Sequence, residues 1–146
     1  MPNILHGKVI VLTGGGSGLG LEGFKTPAAR GTKLSITGIK KGPIIATAKD
    51  IEAASGAIIA TTVNKFSKLD GVINLASVVG KRFGTANFED IEDVGWDYIL
   101  GVYLNGGLNC MRADIKFMND HGSIINASSI ARLDKGVGKG VGTKRD

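Results

Sequence analysis

Residues 9–20, Val9-Ile-Val-Leu-Thr-Gly-Gly-Gly-Ser-Gly-Leu-Gly20, decide how the rest of the chain is read. Val9 to Leu12 form an unbroken apolar run rich in β-branched side chains, and glycine ends it. That pattern predicts a strand over 8–13, buried on both faces. Beyond the glycines, Leu19, Leu21, Phe24 and Ala28 recur at helical spacing, so a helix starts near Leu19 and ends by Gly31. Strand, glycine turn and helix make the first half of a mononucleotide-binding unit. Each glycine has its own task in this reading. Gly14 lets the chain leave the strand sharply, Gly18 lets the backbone approach a phosphate, and Gly20 lets the helix pack close to the sheet. Ser17 adds a hydroxyl donor, and the helix's unpaired N–H groups and positive end suit a pyrophosphate. Glycine clusters also make plain loops, but the strand before this one and the amphipathic stretch after it weigh towards nucleotide binding.

Working outward, Pro27 falls inside the first helix and predicts a kink or an early stop. Lys33–Thr37 reads as the second strand. An acidic residue at its end would accept the ribose hydroxyls and favour NAD. The chain instead has Gly38 followed by Lys40 and Lys41, which favour a 2′-phosphate and hence NADP over NAD, unless the lysines are only a polar turn. A helix is predicted over 43–55, with Pro43 in its first turn and Gly56 as its cap, and a third strand over 57–63. A fourth strand, 71–75, follows after only residues 64–70. For the strand order 3-2-1-4-5 that link must cover about 20–25 Å, against a fully extended reach of about 25 Å. The link is therefore expected to be taut or the third strand displaced, with the usual crossover helix missing. Residues 81–87 read as a loop and 88–119 as a helix, with Glu89, Asp90, Glu92 and Asp93 near its positive end. Trp96, Ile99, Leu100, Tyr103, Leu104, Leu108, Met111, Ile115 and Met118 give it a broad apolar face, expected to be core, with a helix–helix dimer contact next, in preference to a ligand site. The fifth strand is 123–127.

Composition bounds the function. A chain of 146 residues is one domain with room for a core. Its 23 glycines are about twice the usual frequency; Gly23, Gly95, Gly101, Gly106 and Gly107 fall in helical stretches, which predicts a destabilised protein. The net charge of +5 is scattered, and the basic residues near the end have no interleaved aromatics, so no nucleic-acid partner is expected. The single cysteine, Cys110, excludes an internal disulfide, fits a reducing compartment and reads as a small core residue. Neither a signal peptide nor a membrane span is visible, and the expected location is cytoplasmic. His6 and His121 stand alone, so no metal site is expected.

Thr13-Gly-x-x-x-Gly18-x-Gly20 near an N-terminus resembles the short-chain dehydrogenase/reductase family. Leu69-Asp-Gly-Val-Ile-Asn-Leu-Ala-Ser77 resembles its fourth strand, Trp96-Asp-x-Ile-Leu-x-Val-x-Leu104 and Asn109-Cys-Met-Arg-Ala113 its fifth helix, and Gly122-Ser-Ile-Ile-Asn-Ala-Ser-Ser-Ile-Ala131 its fifth strand. The resemblance implies a single Rossmann-like α/β domain, a doubly wound parallel sheet truncated to about five strands, with the family's sixth and seventh strands lacking a counterpart. It implies an NADP or NAD cofactor and oxidation or reduction of an alcohol or carbonyl, with a homodimer through the fifth helix. The residues it assigns to the cofactor are Gly14, Ser17, Gly18, Leu19, Gly20, Gly38, Asn74 and Ala76, and Ser77 stands where the family has a glycine.

The family's chemistry uses a tyrosine acid, a lysine four residues later, a serine that binds the substrate oxygen and an asparagine on the fifth helix. Ser129 matches the serine; a helix cap or turn is the alternative for the Ser128–Ser129 pair. Tyr103 occupies the asparagine position, and the tyrosine position falls on Gly142 or, if Lys144 is the lysine, on Gly140. Tyr98 and Tyr103 lie on the preceding helix, away from the acid's place. A serine alone is a poor acid at neutral pH, so very low or no dehydrogenase activity is expected. Three outcomes compete: a working oxidoreductase, a cofactor- or partner-binding pseudoenzyme, and a decayed or mis-spliced product that folds poorly.

Overall fold

The computed structural model describes residues 3–15, 18–38, 48–79 and 88–128. Its centre is a parallel sheet of four strands: β1 (Val9–Thr13), β2 (Lys33–Thr37), β3 (Gly71–Asn74) and β4 (Ser123–Asn126), in the order β2-β1-β3-β4. The register sets Thr37, Thr13, Asn74 and Asn126 side by side, so the four strands end level with one another. The chain turns to one side of β1 to make β2 and to the other side to make β3. The order therefore reverses between β1 and β3, where open α/β sheets form their crevice.

The first helix is broken as Pro27 predicts. α1 (Gly18–Gly23) and α2 (Lys25–Ala29) are separate short helices, and Pro27 lands at the third position of the second, where no intrahelical N–H partner is needed.

The expected third strand does not exist. Residues 57–63 lie inside α3 (Ala48–Phe66), which also runs through Gly56, expected as a cap. The β-branched run invites a strand reading, but Ile59, Thr62, Val63 and Phe66 fall at helical spacing. Ile59 and Thr62 are fully buried, and Val63 packs against the core cluster of Val11, Ile59, Leu69 and Val72. The two threonine hydroxyls bond back along the helix, Thr61 Oγ1 to the Ala57 carbonyl (2.8 Å) and Thr62 Oγ1 to the Ile58 carbonyl (2.7 Å), so helix leaves neither unsatisfied. α3 is thus the crossover that the parallel sheet requires between β2 and β3, and no taut link remains. The described residues form four strands where about five were expected. Residues 43–47 of the predicted helix lie outside the described residues.

The long predicted helix is also reorganised. A 3-10 turn (Phe88–Asp90) precedes α4 (Asp93–Leu100), which continues through a π-helical stretch (Gly101–Gly106) into α5 (Gly107–Phe117). Its expected core face is largely outside: Trp96, Tyr103, Leu104, Leu108 and Ile115 are exposed, Leu104 and Ile115 by 65% and 70%. The buried stripe is Val102, Gly106, Cys110 and Asp114, four residues apart each time. Small side chains let this run approach α3 and the sheet closely, and the one buried charge finds a partner on β3. No described helix is long and apolar enough to cross a membrane.

Candidate functional site

The glycine turn closes against the end of β3. Gly14 has φ +77°, and a Cβ there would lie 2.7 Å from the Leu75 carbonyl group and the Ala76 nitrogen. Only glycine tolerates both constraints at once. A Cβ on Gly20 would run into the Gly14 carbonyl oxygen, so α1 starts pressed onto the turn. The turn is tied on both sides: the Gly15 amide donates to the Thr37 carbonyl (3.1 Å), and the Leu75 amide donates to the Thr13 carbonyl (3.1 Å). Thr13 Oγ1 accepts from the Ala76 amide and donates to Asn74 Oδ1, both at 3.3 Å.

Asn74 is the knot of this edge. Its Nδ2 donates to Asp114 Oδ2 (2.9 Å) and to Asn126 Oδ1 (3.1 Å), and its carbonyl accepts from the Ala127 amide (3.1 Å). The side chain therefore spends its hydrogen-bonding groups inside the protein, joining β1, β3, β4 and α5. Asp114 is 1% exposed, and burial raises its pKa above the ordinary carboxylate value against the opposing effect of the Asn74 amide. Sequence reading missed Asp114. The signal was present in the 102–106–110–114 stripe, where three small or aliphatic residues mark the buried face and the fourth must be paired.

Of the residues expected at the site, Gly14, Gly20, Asn74 and Ala76 come together at the β1–β3 crevice. Gly18 opens α1, with Leu19 next in it, and Gly38 lies exposed just past β2. Ser128 is exposed past β4; Ser129, Ser17, Lys40 and Lys41 lie outside the described residues. Tyr103, which stands at the family's asparagine position and was not expected to replace the acid, turns its hydroxyl onto the carbonyl of Val78 in the loop after β3 (2.8 Å). No cluster of three metal-ligating side chains occurs among the described residues.

Comparison with known proteins places this edge in context. Residues 26–140 match the family described as enoyl-(acyl carrier protein) reductase. The chain is 37% identical over 143 residues to the short-chain dehydrogenase/reductase aba4 of Botryotinia fuckeliana, covering 86% of this chain and 55% of that one. It is 29% identical over 151 residues to levodione reductase of Leifsonia aquatica, covering 90% and 55%. The chain therefore spans about half the length of the curated relatives it matches. Among solved structures, a short-chain dehydrogenase/reductase from Serratia marcescens superposes with a TM-score of 0.71 at 26% identity, covering 86% of this chain and 59% of that one. A 3-ketoacyl-(acyl-carrier-protein) reductase from Brucella melitensis, complexed with NADH, superposes with a TM-score of 0.72 at 27% identity, covering 87% and 59%.

Proposed function

The chain belongs to the short-chain dehydrogenase/reductase family, and from that premise we propose that it carries a nicotinamide dinucleotide site in the β1–β3 crevice and is an NAD(P)-dependent oxidoreductase of alcohols and carbonyls with impaired catalysis. One observation supports the site above all: Gly14, in a left-handed conformation, is wedged against Leu75 and Ala76 while Gly20 brings α1 onto the same turn. A turn with no room for side chains lets a phosphate approach its backbone closely. Gly14, Ser17, Gly18, Leu19 and Gly20 would hold the phosphates, Gly38 would face the adenosine ribose, and Asn74 and Ala76 would shape the corner beside it. The absence of a carboxylate at Gly38, with Lys40 and Lys41 following in sequence, favours NADP over NAD.

The nicotinamide, when bound, supplies the hydride. Ser129 would bind the substrate oxygen, and an acid must then protonate the nascent alcohol. The positions that resemble the family's acid are Gly140 or Gly142, which have no proton to give, and this supports impaired turnover. The exposed Leu108 and Ile115 of α5, with Leu104 in the π-helical stretch before it, support a homodimer through this helical run as the partner arrangement. The test is to follow loss of reduced NADPH and NADH with a panel of ketones while measuring nucleotide binding in parallel. The proposal expects binding with turnover at background. Turnover that is abolished in Ser129→Ala would show that an acid is present and overturn the impaired-catalysis reading.

A further inference from the structure

The run from α4 to α5 packs against the core beside β3 and makes two side-chain hydrogen bonds to β3 and the loop after it. Asp114 accepts from Asn74 in one, and Tyr103 donates to the Val78 carbonyl in the other. The two contacts run in opposite chain order: Tyr103, earlier in the helical run, meets Val78, later in the loop, and Asp114, later in the run, meets Asn74, earlier in the strand. Because β3 and β4 are parallel, the helical run between them is antiparallel to β3, so it lies along this segment as a splint fixed at both ends.

The two ends differ. Asp114 is buried, whereas Tyr103 is 48% exposed and stands at the rim of the sheet's carboxyl edge, near exposed Ala76 and Ser77. The amides of Leu75 and Ala76 are already tied to Thr13; further along the loop, the phenol supplies the tie at Val78. Tyr103 also sits in the π-helical stretch, where each extra residue turns the preceding helix by about 100°, so the local winding sets which side chain faces the loop.

We propose that Tyr103 is a positioning residue for the nucleotide site: its hydroxyl pins the loop 75–79 to the helical run, so that the Asn74–Ala76 corner is already shaped when the cofactor arrives. The proposal rests on the cofactor-site reading above. Tyr103→Phe tests it, because it keeps the ring and deletes one hydrogen bond. The experiment compares the full wild-type and Tyr103→Phe chains by amide hydrogen exchange without nucleotide and by calorimetric titration with NADPH and NADH. Expected are amide exchange at Leu75 and Ala76, whose amides are hydrogen-bonded to Thr13, that is about fivefold faster or more, unchanged exchange in β1, and nucleotide affinity reduced about fivefold, the scale of one hydrogen bond. Unchanged loop exchange overturns the proposal, as does faster loop exchange with unchanged affinity. Faster exchange throughout β1 also overturns it, since Tyr103 would then serve overall stability. A wild-type chain that binds neither nucleotide overturns the cofactor-site reading itself, which the other outcomes leave standing.

Discussion

Asp70 stands at the entrance to β3 and gathers four donors: the Val9 amide at 2.8 Å, Lys68 at 3.0 Å, Asn119 at 3.3 Å and Lys8 at 3.4 Å. Burial pushes its pKa up, but the Val9 amide and the two lysines outweigh that and hold it below the ordinary carboxylate value. Asp114 is shifted the other way, upward by burial. The signs for stability are therefore opposite. Asp70 stabilises the fold above its unfolded pKa, and that contribution is lost as pH falls through the lower folded value. Asp114 costs stability once pH rises through its elevated folded value. We expect Asp70→Ala, which strips the buried Val9 amide of its acceptor, to cost about 1–3 kcal/mol at pH 7 and less below pH 4, read from denaturant melts across pH. Asp114→Asn keeps an acceptor for Asn74 and should hold or raise stability at pH 7. At this scale the sequence was legible where a residue type has one use. Gly14 and Gly20 follow from their place after an apolar strand, and the structure puts both where only glycine fits. Asp114 was not legible as a partner of Asn74, because nothing local says which strand residue, 40 positions away, will face it.

α3 shows how two periods compete in one element. Residues 58–63 have strand-like composition, and their helical spacing emerges only when Ile59, Thr62, Val63 and Phe66 are taken together. The need for a crossover between parallel strands decides the matter, and that need is visible only once β2 and β3 are paired to β1. The correction moves Gly56 from a helix end to a helix interior, where a Cβ would meet nothing within 4 Å. Gly56→Ala is therefore expected to stabilise by about 0.5–1 kcal/mol and raise Tm by a few degrees in a calorimetric scan. Gly95, Gly101 and Gly107 are equally open, so their helical cost has no steric reason behind it. The α4–α5 face was misread for a related cause. Large apolar side chains suggest the buried stripe, but close helix packing selects the small ones, Gly106 and Cys110.

Taken whole, the molecule is a level-ended parallel sheet with its order reversing between β1 and β3, and α3 and α5 packed together on it. That outline was legible from the order of apolar runs and glycine turns, because β1, β2, β3 and β4 each keep their expected place. The count of strands was not, since it depended on the misread residues 57–63. The central claim is that this edge forms a nucleotide site. Thermal unfolding of the full chain with and without excess NADPH, and with NADH in parallel, tests it most directly. A ligand bound only to the folded state at a hundred times its dissociation constant stabilises by about 2.7 kcal/mol, a rise of several degrees. The account predicts one cooperative transition, raised by NADPH more than by NADH. A broad transition, or a sharp one that neither nucleotide moves, would contradict it.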